Sequence, residues 1–206
     1  MNFDIIDHEQ GTSAWLRWRH DGIGASEAAA VMGENPWKSE KRLFAEKTAA
    51  PRIHSGGGGG GGGGQSAMAR GTALEPYARQ RYLEATGHAL EPLCLQSRQH
   101  HWQRASLDGI DIASKRLVEI KCGEKVYAHT ESTGTVPRYY LGQLQHILAV
   151  TGYAEIDFWV WLPKRRGLLL TIARDAAYID RMTAREAAFW ERVEAARSLD
   201  GVTTNS

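Results

Sequence analysis

The chain has 206 residues and a formal net charge of +1, with 25 Lys and Arg against 24 Asp and Glu. That length is enough to bury a full core as a single domain over 1–206, and the balanced charge excludes a polycationic coat, so any grip on nucleic acid must come from local basic patches. Two cysteines, Cys94 and Cys122, are too few for a disulfide framework or a four-thiolate cluster, and no apolar run reaches the roughly 20 residues of a membrane span.

The N-terminal MNFDIIDHEQ lacks the basic region and apolar run of a secretory signal, so a cytoplasmic protein with inert thiols and no membrane partner is expected. Thr12 or Ser13 can cap a helix carrying WLRWRH, and Ser26, after the loop DGIGAS, can cap EAAAVM, which stops at Gly33. Ser39 can start EKRLFAEKT. Gly56 to Gly64 are nine consecutive glycines, read as part of a flexible loop at 55–65 spanning on the order of 17 Å by random-coil scaling, or as an engineered or placeholder stretch. No chemistry is assigned to it.

Beyond the glycines, SAMARGTALEPYARQRYLEATG is helical in pattern, interrupted at Gly71 and Pro76 and ended by Gly87. A strand near Leu90 to Gln96 leads into a hairpin. Pro137 opens the helix RYYLGQLQHILAVTG, which Gly152 closes. Two strands follow, EIDFWVWL and GLLLTI, joined by PKRR, and a last helix carries its apolar stripe at Ile179, Met182, Phe189, Trp190 and Val193. The expected fold is α/β (α+β), a mixed sheet of about five strands flanked by helices.

The hairpin SLDGIDIASKRLVEIK holds the chemistry. Its alternation on both sides of ASKR predicts two antiparallel strands. A four-residue turn over 113–116 sets Ile110 opposite Glu119 and Asp108 opposite Lys121, so that Asp108, Glu119 and Lys121 share one face, with the two carboxylates as diagonal neighbours. Carboxylates rooted that way can converge on one divalent cation. An ordinary half-exposed strand also alternates charge with Val118 and Ile120, so the motif takes its meaning from its company.

That company is WLRWRHDGIGASEAAAVMGENPW, GTALEP, ASLDGID, VEIK and YYLGQLQH, in that order. From about residue 15 to 161 the chain resembles the lambda-exonuclease-type viral recombinase family, also called YqaJ-like, within the PD-(D/E)xK nuclease superfamily. Ser-Leu-Asp stands where Pro-Asp is usual, and the Asp is kept. The resemblance implies a restriction-endonuclease-like core, Mg²⁺ as cofactor (two ions, with Mn²⁺ as a substitute), and 5′→3′ digestion of double-stranded DNA. It further implies 5′ mononucleotides as product, 3′ overhangs for phage-type recombination, a homotrimeric ring, and a single-strand annealing protein as partner. Asp108 and Glu119, with the carbonyl of Ile120, become the metal ligands. Lys121 orients or deprotonates the attacking water, and Glu75 and Gln143 complete the catalytic set. Arg19 and Ser26 fall at a 5′-terminal phosphate, with Ser106 beside them and Tyr140 one turn before Gln143.

A helix N-terminus at Ser26 and a guanidinium at Arg19 suit a terminal phosphate on physical grounds too. Lys164, Arg165 and Arg166 at a hairpin tip are either a solvated turn or a backbone contact. Trp15, Trp18 and Trp37 read as core or interface aromatics, and His100, His101 and His146 as structural. The competing readings are an endonuclease or single-strand nuclease on the same core, which needs no 5′-phosphate grip, and a catalytically inactive DNA-binding assembly protein.

Overall fold

The computed structural model describes residues 1–51 and 67–203; the glycine run lies outside them. The strands are β1 (Phe3–Ile6), β2 (Ile23–Gly24), β3 (Glu91–Ser97), β4 (Gln103–Asp111), β5 (Arg116–Lys121), β6 (Glu155–Val160) and β7 (Leu168–Ala173). They form one mixed sheet in the order β1-β3-β4-β5-β6-β7, with β2 alongside β4. The helices are α1 (Ser13–His20), α2 (Ala28–Val31), α3 (Glu40–Thr48), α4 (Ala67–Thr86), α5 (Glu124–Thr133), α6 (Arg138–Thr151) and α7 (Ala176–Thr203), with a 3-10 turn at Ala25–Glu27.

The expected mixed sheet flanked by helices is present, with additions. β1 pairs antiparallel with β3, Phe3 facing Ser97, and β2 pairs parallel with β4. Neither was foreseen, because four and two residues carry too little alternation to register. The chain after β5 forms α5, whose inward residues are Val126, Tyr127 and Thr130 and which ends at Gly134 in the left-handed region, φ 65°. Gly71 and Pro76 do not interrupt α4. Pro76 has no N–H for the Thr72 carbonyl, but both residues lie on the solvent side, where water can serve that carbonyl.

Helices cover both faces. On one, Leu144, Ile147 and Leu148 of α6 and Ile179 and Met182 of α7 pack on Leu107, Leu117 and Phe158. Each such fully buried aliphatic contributes about 1.5–3 kcal/mol. On the other, Ala78 and Tyr82 of α4 cover Val118, Ile120, Trp159 and Trp161. Asp157 of β6 is buried and fully partnered: Tyr82 donates to it at 2.5 Å, Arg116 at 2.9 Å and Thr171 at 2.7 Å. One carboxylate thus ties α4, β5, β6 and β7 together.

α6 reaches the first third of the chain through a small residue. A Cβ on Gly142 would lie 3.2 Å from the backbone of Ala29, atoms that cannot swing aside. We expect Gly142→Leu to destabilise the protein by about 1–3 kcal/mol through overpacking of this α2–α6 contact, measured by urea denaturation; wild-type stability would show that the helices can part.

Candidate active site

β4 and β5 are joined by a four-residue turn that starts one residue earlier than the expected 113–116. Gly109 faces Val118, Ile110 faces Leu117 and Asp111 faces Arg116. The turn is therefore 112–115, with Lys115 in the left-handed region at φ 55° and the Asp111 carboxylate receiving the amide of Ala113 and the hydroxyl of Ser114. The shift is two residues, so the faces are kept. Continued, this register sets Asp108 across from Glu119 rather than from Lys121, bringing the two carboxylates nearer than a diagonal pair.

Asp108 accepts the Ile120 amide at 2.7 Å, and its own carbonyl takes the Arg79 guanidinium at 2.8 Å. Glu119 is 2% exposed. Its Oε1 receives Lys121 Nζ at 2.5 Å and Gln143 Nε2 at 2.6 Å, while its Oε2 is buried with no hydrogen-bond partner. Lys121 also lies 3.4 Å from Gln143 Oε1 and 4.7 Å from the centre of the Tyr140 ring.

The electrostatics are those of crowded, dried acids. Burial raises the pKa of Asp108, against Lys121, the Ile120 amide and Arg79. Burial, then Asp108, raise Glu119 against the pull of Lys121. On α4, burial and then Asp108 push Glu75 up to about 7. For Lys121, burial works against the charge, but Glu119 and Asp108 outweigh it and hold the ammonium more firmly than in water. The neighbouring Cys122 is half-buried rather than enclosed, and burial, then Glu75 and Asp108, push its thiol up to about 12.

A cleft of about 540 Å³ opens from this cluster, and all ten candidate residues from the sequence line it. At its far end Arg19 donates to Ser26 Oγ at 3.0 Å and stacks 4.7 Å over the Trp15 ring, while the Trp15 indole donates to Ser106 Oγ at 2.8 Å. Ser26 is not a helix cap, contrary to expectation. It sits inside the 3-10 turn, and the Gly24 amide is capped instead by Glu27 at 2.9 Å. The four-residue α2 that follows offers no N-terminal anion site, so any anion here is met by side chains.

Trp15, expected as a core or interface aromatic, lines the cleft instead, and Glu27 and Lys47 support it from behind without having been assigned a role. Trp15 and Arg19 are four apart and share a helix face, a spacing that was there to be read. Glu27 stands three after Gly24, the capping-box spacing. Lys47 of α3 is 3% exposed, donating to the Arg19 carbonyl at 2.8 Å and pairing with Glu27 at 2.8 Å. Nothing local in the sequence announces that contact. A second cavity of about 550 Å³ lies behind Arg19, where Lys47 pairs with Glu27 and both Lys38 and Arg42 pair with Glu46. Of the histidines expected to be structural, His146 is enclosed between Glu186 at 2.7 Å and the Arg104 carbonyl at 3.2 Å and His100 stacks on Trp102, while the His101 side chain lies on the surface beside Glu194.

Among the described residues no three His, Cys, Asp or Glu side chains form a ready-made metal cage. The cleft nevertheless suits a hard cation. Two adjoining carboxylates, one with a bare buried oxygen, and the main-chain carbonyl of Ile120 form an all-oxygen set, and magnesium needs only one or two carboxylates with water.

The YqaJ-like viral recombinase domain model matches residues 14–154. An alkaline exonuclease of Laribacter hongkongensis (LHK-Exo) superposes with a TM-score of 0.79 at 27% identity, over 94% of this chain and 99% of that one. Its complex with dAMP gives 0.78 over the same shares and at the same identity. A phage-related exonuclease of Haemophilus somnus 129PT shares the fold at 15% identity, TM-score 0.60, over 86% and 95% of the two chains. The protein YqaJ of Bacillus subtilis (strain 168) is 26% identical over 88% of this chain, which spans 56% of that relative's length.

Because the native pKa values of Asp108 and Glu119 lie above the unfolded values, the metal-free fold loses stability as pH rises through the carboxylate range, where the unfolded chain sheds protons first. A cation that binds the ionised pair should restore it. Saturating Mg²⁺ is expected to raise the Tm by about 5 °C at pH 8 and by less at pH 5. Asp108→Asn or Glu119→Gln should erase the increment in thermal melts; an undiminished increment in both would place the cation elsewhere.

Proposed function

The chain belongs to the YqaJ-like viral recombinase domain family, and from that premise we propose that it is a metal-dependent deoxyribonuclease, a 5′→3′ exonuclease on double-stranded DNA. It would release 5′ mononucleotides and leave 3′ overhangs for recombination. One observation carries the reading: the paired carboxylates with Lys121 and the Arg19–Ser26–Ser106 group open into the same cleft. Similarity to an alkaline exonuclease across nearly the whole chain supports a nuclease. A homotrimeric ring and a single-strand annealing partner belong to the same proposal and rest on the family resemblance.

Asp108, Glu119 and the Ile120 carbonyl are the proposed holders of Mg²⁺, with two ions in the full site and Mn²⁺ able to replace them. When bound, the metal supplies a Lewis acid that makes water a better nucleophile and offsets phosphate charge. Gln143 fixes Glu119 by its hydrogen bond to Oε1. Lys121, held as an ammonium, has donors but no lone pair. Its role is to orient water and steady charge developing on the phosphate, or, once bound metal draws off the carboxylate charge that holds its proton, to take the proton of the water. Glu75, pushed up to about 7 by burial and then Asp108, can shed its proton when cationic charge enters. Tyr140 walls the Lys121 ammonium with its ring.

At the other end, Ser26 Oγ accepts from Arg19 and Ser106 Oγ from Trp15. Neither bond uses the proton of the hydroxyl itself, so each can donate into the cleft. Two hydroxyl donors and the remaining guanidinium donors can receive a terminal phosphate, which carries more charge than an internal diester.

The test is digestion of a linear duplex labelled separately at each end, carrying 5′-phosphate or 5′-hydroxyl, with Mg²⁺ or chelator. Labelled mononucleotides should leave the 5′ ends first, only with metal. Asp108→Asn should lower the rate by about three orders of magnitude, as loss of several kcal/mol of charge stabilisation requires. Arg19→Ala should reduce the 5′-phosphate preference by about tenfold or more. Release from 3′ ends would overturn the direction, and rapid cutting of closed circles would favour the endonuclease.

A further inference from the structure

We propose that Trp37 and Tyr139 form a stacking platform for an unpaired nucleobase, joined to the cleft through Tyr140, which lines it, a subsite that rests on the DNA-nuclease reading above. Six of the seven tryptophans are buried or half-buried; Trp37 is 66% exposed. It is nonetheless held in place. The Asn35 carboxamide oxygen accepts the Trp37 amide at 2.8 Å and the Lys38 amide at 2.9 Å, fixing the turn that displays the indole. An indole set out in water on a fixed turn is apolar surface that the fold itself does not cover.

Its surroundings point to the occupant. The Trp37 ring meets Tyr139 edge to face, centroids 4.7 Å apart and planes at 77°. Tyr139 is 4.6 Å from Tyr140, and the Tyr140 ring is 4.7 Å from Lys121 Nζ. Three consecutive contacts thus run from the ammonium at the proposed scissile phosphate out to the exposed indole. Trp37 and Tyr139 do not stack face on face, so their own contact leaves π surface for a base. Arg138, next to Tyr139 and with its side chain 83% exposed, adds a cation for the adjoining phosphate, only loosely engaged with Glu34 at 3.8 Å. Aromatic rings with a neighbouring cation suit unpaired bases without regard to sequence, since every base has a π face.

The occupant is therefore an unpaired base of the strand whose phosphate the cleft holds. The alternative, a second copy of this chain covering Trp37, is separated by the test. Affinity is measured in chelator, so that nothing is cut, for duplexes with a short unpaired 5′ end bearing either normal bases or abasic residues. Wild type should prefer the base-bearing end by about five- to hundred-fold. Trp37→Leu and Tyr139→Leu should shrink that gap, and Trp37→Phe should keep most of it. Because Trp37 is exposed, its replacement leaves the core intact.

An equal gap in wild type and Trp37→Leu overturns the platform. So does the absence of a gap in wild type, or a change of oligomeric state in Trp37→Leu with the gap untouched. Release of nucleotides in Mg²⁺ is scored separately with the same duplexes. Digestion without a base-dependent gap sinks the platform and leaves the nuclease. A gap without digestion sinks the nuclease and leaves the platform.

Discussion

Two carboxylates on neighbouring strands, largely withdrawn from water, are the condition on which the rest of this molecule depends. Like charges so placed repel, and burial deprives them of the solvent that would relieve it. Asp157, also buried, shows how this chain treats an acid that has only to hold strands together: three donors from three elements satisfy it. Asp108 and Glu119 are treated otherwise. They receive one amide, one ammonium and one carboxamide, and Glu119 Oε2 receives nothing. The contrast between a saturated and an unsaturated buried acid, a strand apart, marks which of them is left for something else to complete.

Around that core of charge, the first third of the chain works as an attachment. α1, β2 and the 3-10 turn bring Arg19 and Ser26 to the cleft, and their position is set from behind. Lys47 of α3 holds the carbonyl of Arg19 and the carboxylate of Glu27, and Glu27 in turn holds the Gly24 amide. The balance of this pair is visible in its acid. Burial works against its charge, yet Lys47 and Arg19 keep the Glu27 carboxyl below its usual range. The backbone that carries the Arg19 guanidinium is thus fixed by a buried ion pair from outside the cleft.

Much of this was legible. The α/β plan, the succession along the chain of the strands from β3 onward and the residues that share the cleft follow from alternation, capping and a recognisable order of motifs. Asp108, Glu119 and Lys121 were placed on one face by a register that was two residues wrong, because a shift of two preserves the face while a shift of one would have reversed it. What escaped depends on partners distant in sequence. β2 exists only because Trp102 and Gln103 lie beside it, Lys47 is a buttress only because α3 folds back on α1, and α5 hides among Thr, Ser and His, whose helical preference is weak. Ser26 was misjudged for a local reason: a serine ahead of EAAAV looks like a cap, but Gly24 and Glu27 had already claimed that role.

The place of the cleft follows from the sheet. β5 is antiparallel to β4 on one side and parallel to β6 on the other, so at its carboxyl end the neighbouring connections leave in different directions. β4 enters from the side of β3, while β5 runs on into α5 and the chain returns through α6 before β6 begins. A crevice at such a change of direction is where open sheets with helical crossovers take their ligands. The same crossover lays α6 against the end of β5, setting Gln143 on Glu119 and Tyr140 over Lys121. Gly142 permits that by letting α6 close on Ala29, which draws the Arg19–Ser26 segment in beside it. Charge on the strands, alignment from α6 and the approach of the first third of the chain thus have one topological cause, the point where an antiparallel meander becomes a parallel pair.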